Sequence, residues 1–429
     1  MVFEIKFKDL GGRVAKLETK HGVIETPLLL PVINPFKRGV DVRDIVNAGF
    51  NALITNSYFI WKRYREEPPN VHELLGFDGP VMTDSGAYQI LQYGDVEVDP
   101  EEIVEFQRVI GSDIAVILDI PTPIDADRDG ALRGVLETVR RAEMLKRREG
   151  DPLWVGPIQG GRYLDLVEFS ARRMSKLNFD IYAIGSPTGL MESYDFATVL
   201  RMVLTAKRVL GPEKPIHLFG AGHPMFISFM VAAGVDLADS ASYALYAVED
   251  RYMTSHGTYR IEELYNLPCS CPICSRYTAE ELKELHGYER FRLIALHNLY
   301  VLAGEIRRVK QAIVEGSLWE LLEERSRTHP ALLEAFKVLK EWLPFIERYD
   351  PLRGPTIQGI FFYNDPKRPE TIRHVKRLIE RFPIWPSTSH LIFLPAPFEK
   401  PYSASSVSGY LKELLDRLGL TDKTQIFFI

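Results

Sequence analysis

Across the first two-thirds of the chain, short apolar runs alternate with longer stretches in which apolar residues recur at helical spacing. The runs cover residues 23–34, 52–58, 80–84, 114–120, 153–159, 181–185, 215–220 and 235–240. They read as strands, and the stretches between them, such as 100–109 and 166–176, read as amphipathic helices. Eight strand–helix units predict an α/β fold, a (β/α)8 TIM barrel rather than an open doubly wound sheet. The polar positions are placed unevenly. Asp84, Asp119, Gln159, Gly185, Gly220 and Asp239 each stand at or near the C-terminal limit of a run. In a barrel those limits converge on one face, where barrel active sites are built.

After Asp239 the pattern changes. Residues 250–290 are irregular, helical periodicity resumes over 288–315, and two further helical stretches run to about Arg348. The segment Asp350-Pro-Leu-Arg-Gly-Pro355 reads as a linker. Beyond it, the apolar run 356–363 and a basic helical stretch over 369–381 suggest a small C-terminal α/β domain. The expected organisation is therefore a barrel domain over 1–349, with a helical insertion near 265–300, followed by a domain over 350–429.

Composition narrows the setting without changing this picture. Hydrophobic residues make up 46% and charged residues 26% of the 429, an ordinary globular balance. No apolar run approaches the roughly 20 residues of a membrane span, and the N-terminus lacks the layout of a signal peptide. A soluble, cytoplasmic protein is expected, with no membrane partner. The net charge of -6 excludes a uniformly basic nucleic-acid binder but leaves room for a local phosphate-binding patch.

The only three cysteines fall within six residues, Cys269-Ser-Cys271-Pro-Ile-Cys274, on a turn that also contains Pro268 and Pro272. Such crowding argues against disulfides and for a metal site, because three closely spaced thiolates supply three corners of a zinc tetrahedron. A histidine on the following helix would supply the fourth. His286 and His297 are both candidates, and spacing leaves the choice open. Four protein ligands would close the site, giving the metal a structural role.

The two carboxylates Asp84 and Asp239 suggest the chemistry. Facing each other across a barrel mouth, one can attack an anomeric carbon while the other handles protons, which cleaves a glycosidic bond with retention. The surrounding residues add a resemblance. Asp84-Ser-Gly-Ala-Tyr88-Gln89 is similar to the signature of the queuine and archaeosine tRNA-ribosyltransferases. The likeness extends in order through Thr26-Pro27, Pro31-Val32, Ser112-Asp113, Leu118-Asp119, Pro157-Ile-Gln159-Gly160, Leu218-Phe-Gly-Ala-Gly222 and Asp239-Ser240 to the cysteine turn and His297-Asn298. The segments around Phe219 and Asp239 favour the archaeal, tRNA-guanine transglycosylase branch.

This resemblance implies an enzyme that exchanges guanine at position 15 of tRNA for 7-cyano-7-deazaguanine. By matching position, Asp239 becomes the nucleophile on C1′ of the ribose and Asp84 the general acid/base. Asp119, Gln159 and the backbone at Gly185 would meet the purine edge, Tyr88 and Phe219 would sandwich the base, and Gly220 joins the substrate-binding set. His297 becomes the fourth zinc ligand. Gly185-Ser186-Pro187-Thr188 departs from the family, which has a Gly-Gly pair followed by apolar residues there. A family-like homodimer through the zinc region is a further expectation. Longer archaeal members carry a C-terminal PUA module, so a separate PUA-domain protein is expected to supply the tRNA contacts lying beyond Ile429. Two rivals stand beside this reading. An archaeosine synthase-like amidotransferase would need a cysteine where Ala396 stands. A non-catalytic tRNA-binding subunit would have no use for Asp84 and Asp239 together.

Overall fold

The computed structural model describes residues 3–37, 39–87, 98–351 and 367–428. The chain divides into two compact units, Met1–Pro369 and Glu370–Ile429.

The larger unit opens with an antiparallel sheet of β1 (Phe3–Asp9), β2 (Gly12–Thr19) and β3 (Gly22–Thr26). Eight parallel strands then close into a barrel: β4 (Leu28–Ile33), β5 (Leu53–Asn56), β6 (Val81–Asp84), β7 (Ile114–Val116), β8 (Leu153–Ile158), β9 (Ile181–Ile184), β10 (Ile216–Leu218) and β11 (Leu237–Ser240). They pair in chain order, and β11 returns to β4 through Leu237↔Leu28 and Asp239↔Leu30. Helices wrap the outside, so both faces of each strand are dry and the strands can be apolar throughout. Several outer helices start at an aspartate whose carboxylate accepts a backbone N–H of the first turn. Asp99 does this for Pro100–Val109, Asp127 for Arg128–Met144 and Asp195 for Phe196–Leu210.

Inside the barrel, Leu28, Leu30, Ile54, Met82, Ile114, Val116, Val155, Ile181, Ala183 and Leu237 form one core with Ala15, Leu17 and Ile24 of the preceding sheet. Leu28, Ile114, Ile181 and Leu237 are the first residues of their strands. The antiparallel sheet thus plugs the N-terminal end of the barrel and leaves the C-terminal end as the mouth.

The strands are shorter than the apolar runs. Run 23–34 is two strands, β3 and β4, meeting at Thr26-Pro27. Run 114–120 stays in the ladder only to Val116, because side chains then take over the carbonyls. Gln107 Nε2 donates to Val116 O at 3.0 Å, and Ser85 Oγ to Ile117 O at 3.1 Å. Two sequence-level omissions also emerge: β1 and β2 were not among the candidate strands, and the irregular region contains a ribbon of β12 (Arg251–Thr254) and β13 (Gly257–Arg260). A short helix, Ala279–Glu284, begins at a reciprocal Thr278–Glu281 cap, and the long helix Gly287–Glu315 follows. Helices Leu318–Ser326 and Pro330–Glu341 come next. Among the described residues no helix is long and apolar enough to cross a membrane.

The smaller unit pairs β14 (His390–Leu394) in parallel with β15 (Thr424–Phe428), and helix Ser406–Arg417 lies between them in sequence. Most of the expected linker, and the apolar run 356–363, lie outside the described residues.

Candidate active site and metal centre

Six consecutive barrel strands each bring at least one of the expected site positions to the mouth. Asp84 ends β6, Asp119 follows β7, Gln159 follows β8, Gly185 follows β9, Phe219 and Gly220 follow β10, and Asp239 lies in β11. Tyr88 lies outside the described residues.

Asp239 is nearly buried, and its Oδ1 is held twice. His217 Nε2 lies 2.8 Å away and the Gly220 N–H donates at 3.1 Å. The His217 ring stands edge-on to Phe219, with centroids 4.8 Å apart. Both donors fall on one oxygen. Oδ2 receives no hydrogen bond among the described residues, which leaves it open toward a ligand.

Asp84 is held from β5. Asn56 Nδ2 donates to its Oδ2 at 2.9 Å, the Gly86 N–H donates to the same oxygen at 3.2 Å, and Ser57 Oγ–H donates to its carbonyl at 2.8 Å. Asn56 also caps helix Ser57–Tyr64, accepting from the Phe59 N–H, so its amide orientation is determined. The turn after Asp84 demands glycine: Gly86 has φ +98, and a Cβ there would sit 2.5 Å from Tyr58 Cβ.

Asp119 and Gln159 are both buried and hydrogen-bonded to each other through Gln159 Nε2. Gly185 packs against that amide, and a Cβ on it would lie 2.2 Å from Gln159 Nε2.

The remaining site is a cluster of Cys269, Cys271, Cys274 and His297, whose ligand atoms all lie within 4.8 Å of one another. The Cys271 and Cys274 sulfurs are 3.5 Å apart and stand 3.5 and 3.3 Å from His297 Nδ1. These separations approach the edges of a tetrahedron with metal bonds of about 2.0–2.3 Å. His297 is oriented for it: Nε2 lies 2.8 Å from the Met253 carbonyl, which takes its N–H, so the Nδ1 lone pair faces the thiolates. Tyr252 stacks on the ring at 3.6 Å. His286, the other candidate, is the residue preceding helix Gly287–Glu315 and is not part of the cluster. The four residues can hold a metal ion.

Comparison with known proteins bears on what this pair of sites belongs to. Residues 9–331 match the family model described as queuine tRNA-ribosyltransferase. The chain belongs to that family. A tRNA-guanine(15) transglycosylase of Aeropyrum pernix is 50% identical over 389 residues, which span 88% of this chain and 76% of the relative. The protein of that name from Methanocaldococcus jannaschii is 49% identical over 393 residues, spanning 88% and 60%. The one from Pyrobaculum aerophilum is 47% identical over 423 residues, spanning 97% and 84%.

Within this ribosyltransferase-family barrel the carboxyl groups disturb one another. Burial pushes the Asp84 carboxyl up to about 7; the negative charge of Asp119 adds to this, the Gly86 N–H partly offsets it, and Asp239 contributes further in the upward direction. Burial pushes Asp119 up to about 6, against the hydrogen bond from Gln159 and the charge of Arg141. Asp84 ionises only at a cost in this setting, so the site keeps a proton available near neutrality.

Sequence reading missed His217 and Asn56. His217 had one available signal, a histidine within the otherwise apolar run Ile216-His217-Leu218.

Proposed function

We propose that this chain exchanges the guanine at position 15 of tRNA for 7-cyano-7-deazaguanine through a covalent link to Asp239. The observation that carries the reading is the arrangement at the mouth, where Asp239 and Asp84 belong to one barrel rim and four intervening strand ends supply polar or glycine positions. The names of the relatives support tRNA guanine 15 as the target. The incoming base rests on the resemblance of the sequence to the archaeal branch.

In the first half-reaction Asp239 Oδ2 attacks C1′ of the ribose. The C1′–N9 bond breaks, its electron pair leaves with guanine, and Asp84 delivers the proton that neutralises the departing base. In the second half Asp84 takes a proton from the incoming deazapurine, whose nitrogen attacks C1′ and releases Asp239. Two inversions leave the ribose configuration unchanged. A base stacked inside tRNA cannot reach these groups, so it must be turned out into the mouth. Phe219 is suited to hold it by one face, the task that the resemblance gives to Phe219 and Tyr88 together. Asp119, Gln159 and the Gly185 backbone are suited to read its edge.

The metal we assign is zinc, since three thiolates and one imidazole suit its tetrahedral preference. Zinc there would supply structural cross-linking rather than chemistry. Met253 and Asn298 extend the link: Asn298 Oδ1 accepts the Met253 N–H at 2.9 Å, and its Nδ2 donates to the Tyr243 and Arg251 carbonyls at 3.2 and 3.1 Å. Helix Gly287–Glu315 is thereby tied to the segment that follows Asp239.

The test is Asp239→Asn. It should abolish both guanine exchange and the tRNA adduct seen by mass spectrometry, with tRNA affinity changed less than about threefold because phosphate contacts are untouched. An adduct that persists in Asp239→Asn would transfer the nucleophile role to Asp84.

A further inference from the structure

Ser186 stands in the left-handed region with φ +61, a conformation that glycine adopts freely and a residue with a Cβ does not. The side chain retained there makes two contacts. The Thr122 N–H donates to Ser186 Oγ at 2.7 Å, and Ser186 Oγ lies 2.7 Å from Gln159 Oε1. The directions are forced. A backbone N–H can only donate, so it occupies a lone pair of the hydroxyl, and the single hydroxyl hydrogen is left for the Gln159 oxygen. Gln159 Oε1 is therefore the accepting end of the amide, and Nε2 is the end facing Asp119 and the flank of Gly185.

The orientation matters because a side-chain amide is nearly symmetric in shape and opposite in hydrogen-bonding sense at its two ends. An ionised Asp119 would by itself hold the N–H end. A protonated Asp119 would not, since a carboxylic acid can equally donate to an amide oxygen. Burial brings Asp119 up to about 6, and the charged groups acting on it and beside it are Asp84, from β6, and Arg141, from helix Arg128–Met144. The relay from Thr122 through Ser186 contains no titrating group and holds the amide in either state of Asp119.

A 6-oxopurine presents an acceptor at position 6, whereas a 6-aminopurine presents a donor there. We propose that Ser186 is a positioning residue that keeps the N–H end of Gln159 turned to the base and so selects 6-oxopurines over 6-aminopurines. This rests on the base-exchange reading above, in which Gln159 meets the purine edge.

The experiment compares wild type, Ser186→Ala and Ser186→Gly. Dissociation constants for free guanine and for 2,6-diaminopurine are measured at about pH 5 and about pH 8, together with kcat and KM for guanine in the tRNA exchange reaction. Loss of the relay should reduce the guanine preference roughly tenfold at the lower pH and less at the higher, as expected for one misdirected hydrogen bond. KM for guanine should rise while kcat changes little. The glycine variant separates this from a structural role, because it relieves the left-handed backbone and still lacks the hydroxyl. Should the alanine variant fail to fold, the glycine variant carries the test. Wild-type guanine preference in a folded variant at both pH values overturns the assignment of Ser186 and leaves base exchange standing. A wild-type protein that neither binds nor exchanges guanine overturns both.

Discussion

Replacing Asp84 by asparagine should stabilise the protein at alkaline pH and leave it nearly unchanged in acid. The folded protein raises this carboxyl from its ordinary value of 3.8 to about 7. Between those values the native chain holds a proton that the unfolded chain has released, so the native state binds more protons and stability falls as pH rises. The loss begins as pH passes the unfolded value and is complete once the folded value is exceeded. At about 1.4 kcal/mol per pH unit the gap corresponds to at most about 4 kcal/mol. Asp84 keeps part of its surface toward the open mouth, where water screens the charge, so roughly 1–3 kcal/mol is expected. Asparagine avoids this cost. Its amide oxygen can still accept from Asn56 Nδ2 and the Gly86 N–H, which both address Oδ2. Urea unfolding of the two proteins at about pH 4, 6 and 8 and constant ionic strength would give the difference directly. Stability profiles that run parallel across this range, or an asparagine variant that is the less stable at high pH, would refute the argument that ionising Asp84 costs the folded state stability.

The other sites make separate demands. His297→Ala should lose its bound zinc while His286→Ala retains one equivalent per chain, as metal analysis would report; the reverse pattern would displace His297 from the cluster. His217→Phe removes one of the two donors on Asp239 Oδ1 and should lower kcat about 10- to 100-fold with little change in KM for tRNA. His217→Gln, which can place an N–H near the same point, should recover part of that loss, and a purely KM effect would refute a positioning role. Arg13 and Asp236 are both buried, and Arg13 Nε donates to Asp236 Oδ1 at 2.8 Å. Arg13→Ala should therefore cost about 3–5 kcal/mol in urea unfolding by stranding the carboxylate; a cost under about 1 kcal/mol would mean that water reaches Asp236.

The barrel was legible because its strands are dry on both sides and end in polar residues, a pattern visible without any long-range knowledge. The antiparallel sheet before it was not. β1 reads Phe-Glu-Ile-Lys-Phe-Lys-Asp, with a largely exposed middle, and resembles ordinary charged surface until its partners are known. The β12–β13 ribbon has only four residues in each strand and too little apolar alternation to stand out. In the site, Asp84, Asp119, Gln159 and Asp239 could be picked out one strand at a time. Ser186 could be seen only as a departure at a glycine position. Its hydrogen bonds join Thr122 and Gln159, which follow the two preceding barrel strands, and no local pattern encodes that meeting.

The sheet of β1, β2 and β3 also decides how molecules travel. With Ala15, Leu17 and Ile24 packed into one end of the barrel, the interior offers no through passage. For a base-exchange enzyme, the departing and arriving purines must then share a single doorway, and the first must clear it before the second can enter. On the covalent reading proposed above, exchange would then run as a ping-pong sequence. Between the two bases the ribose would be held by its bond to Asp239 as well as by the contacts of the tRNA itself, and the lifetime of that bond would limit how long the doorway can stand empty.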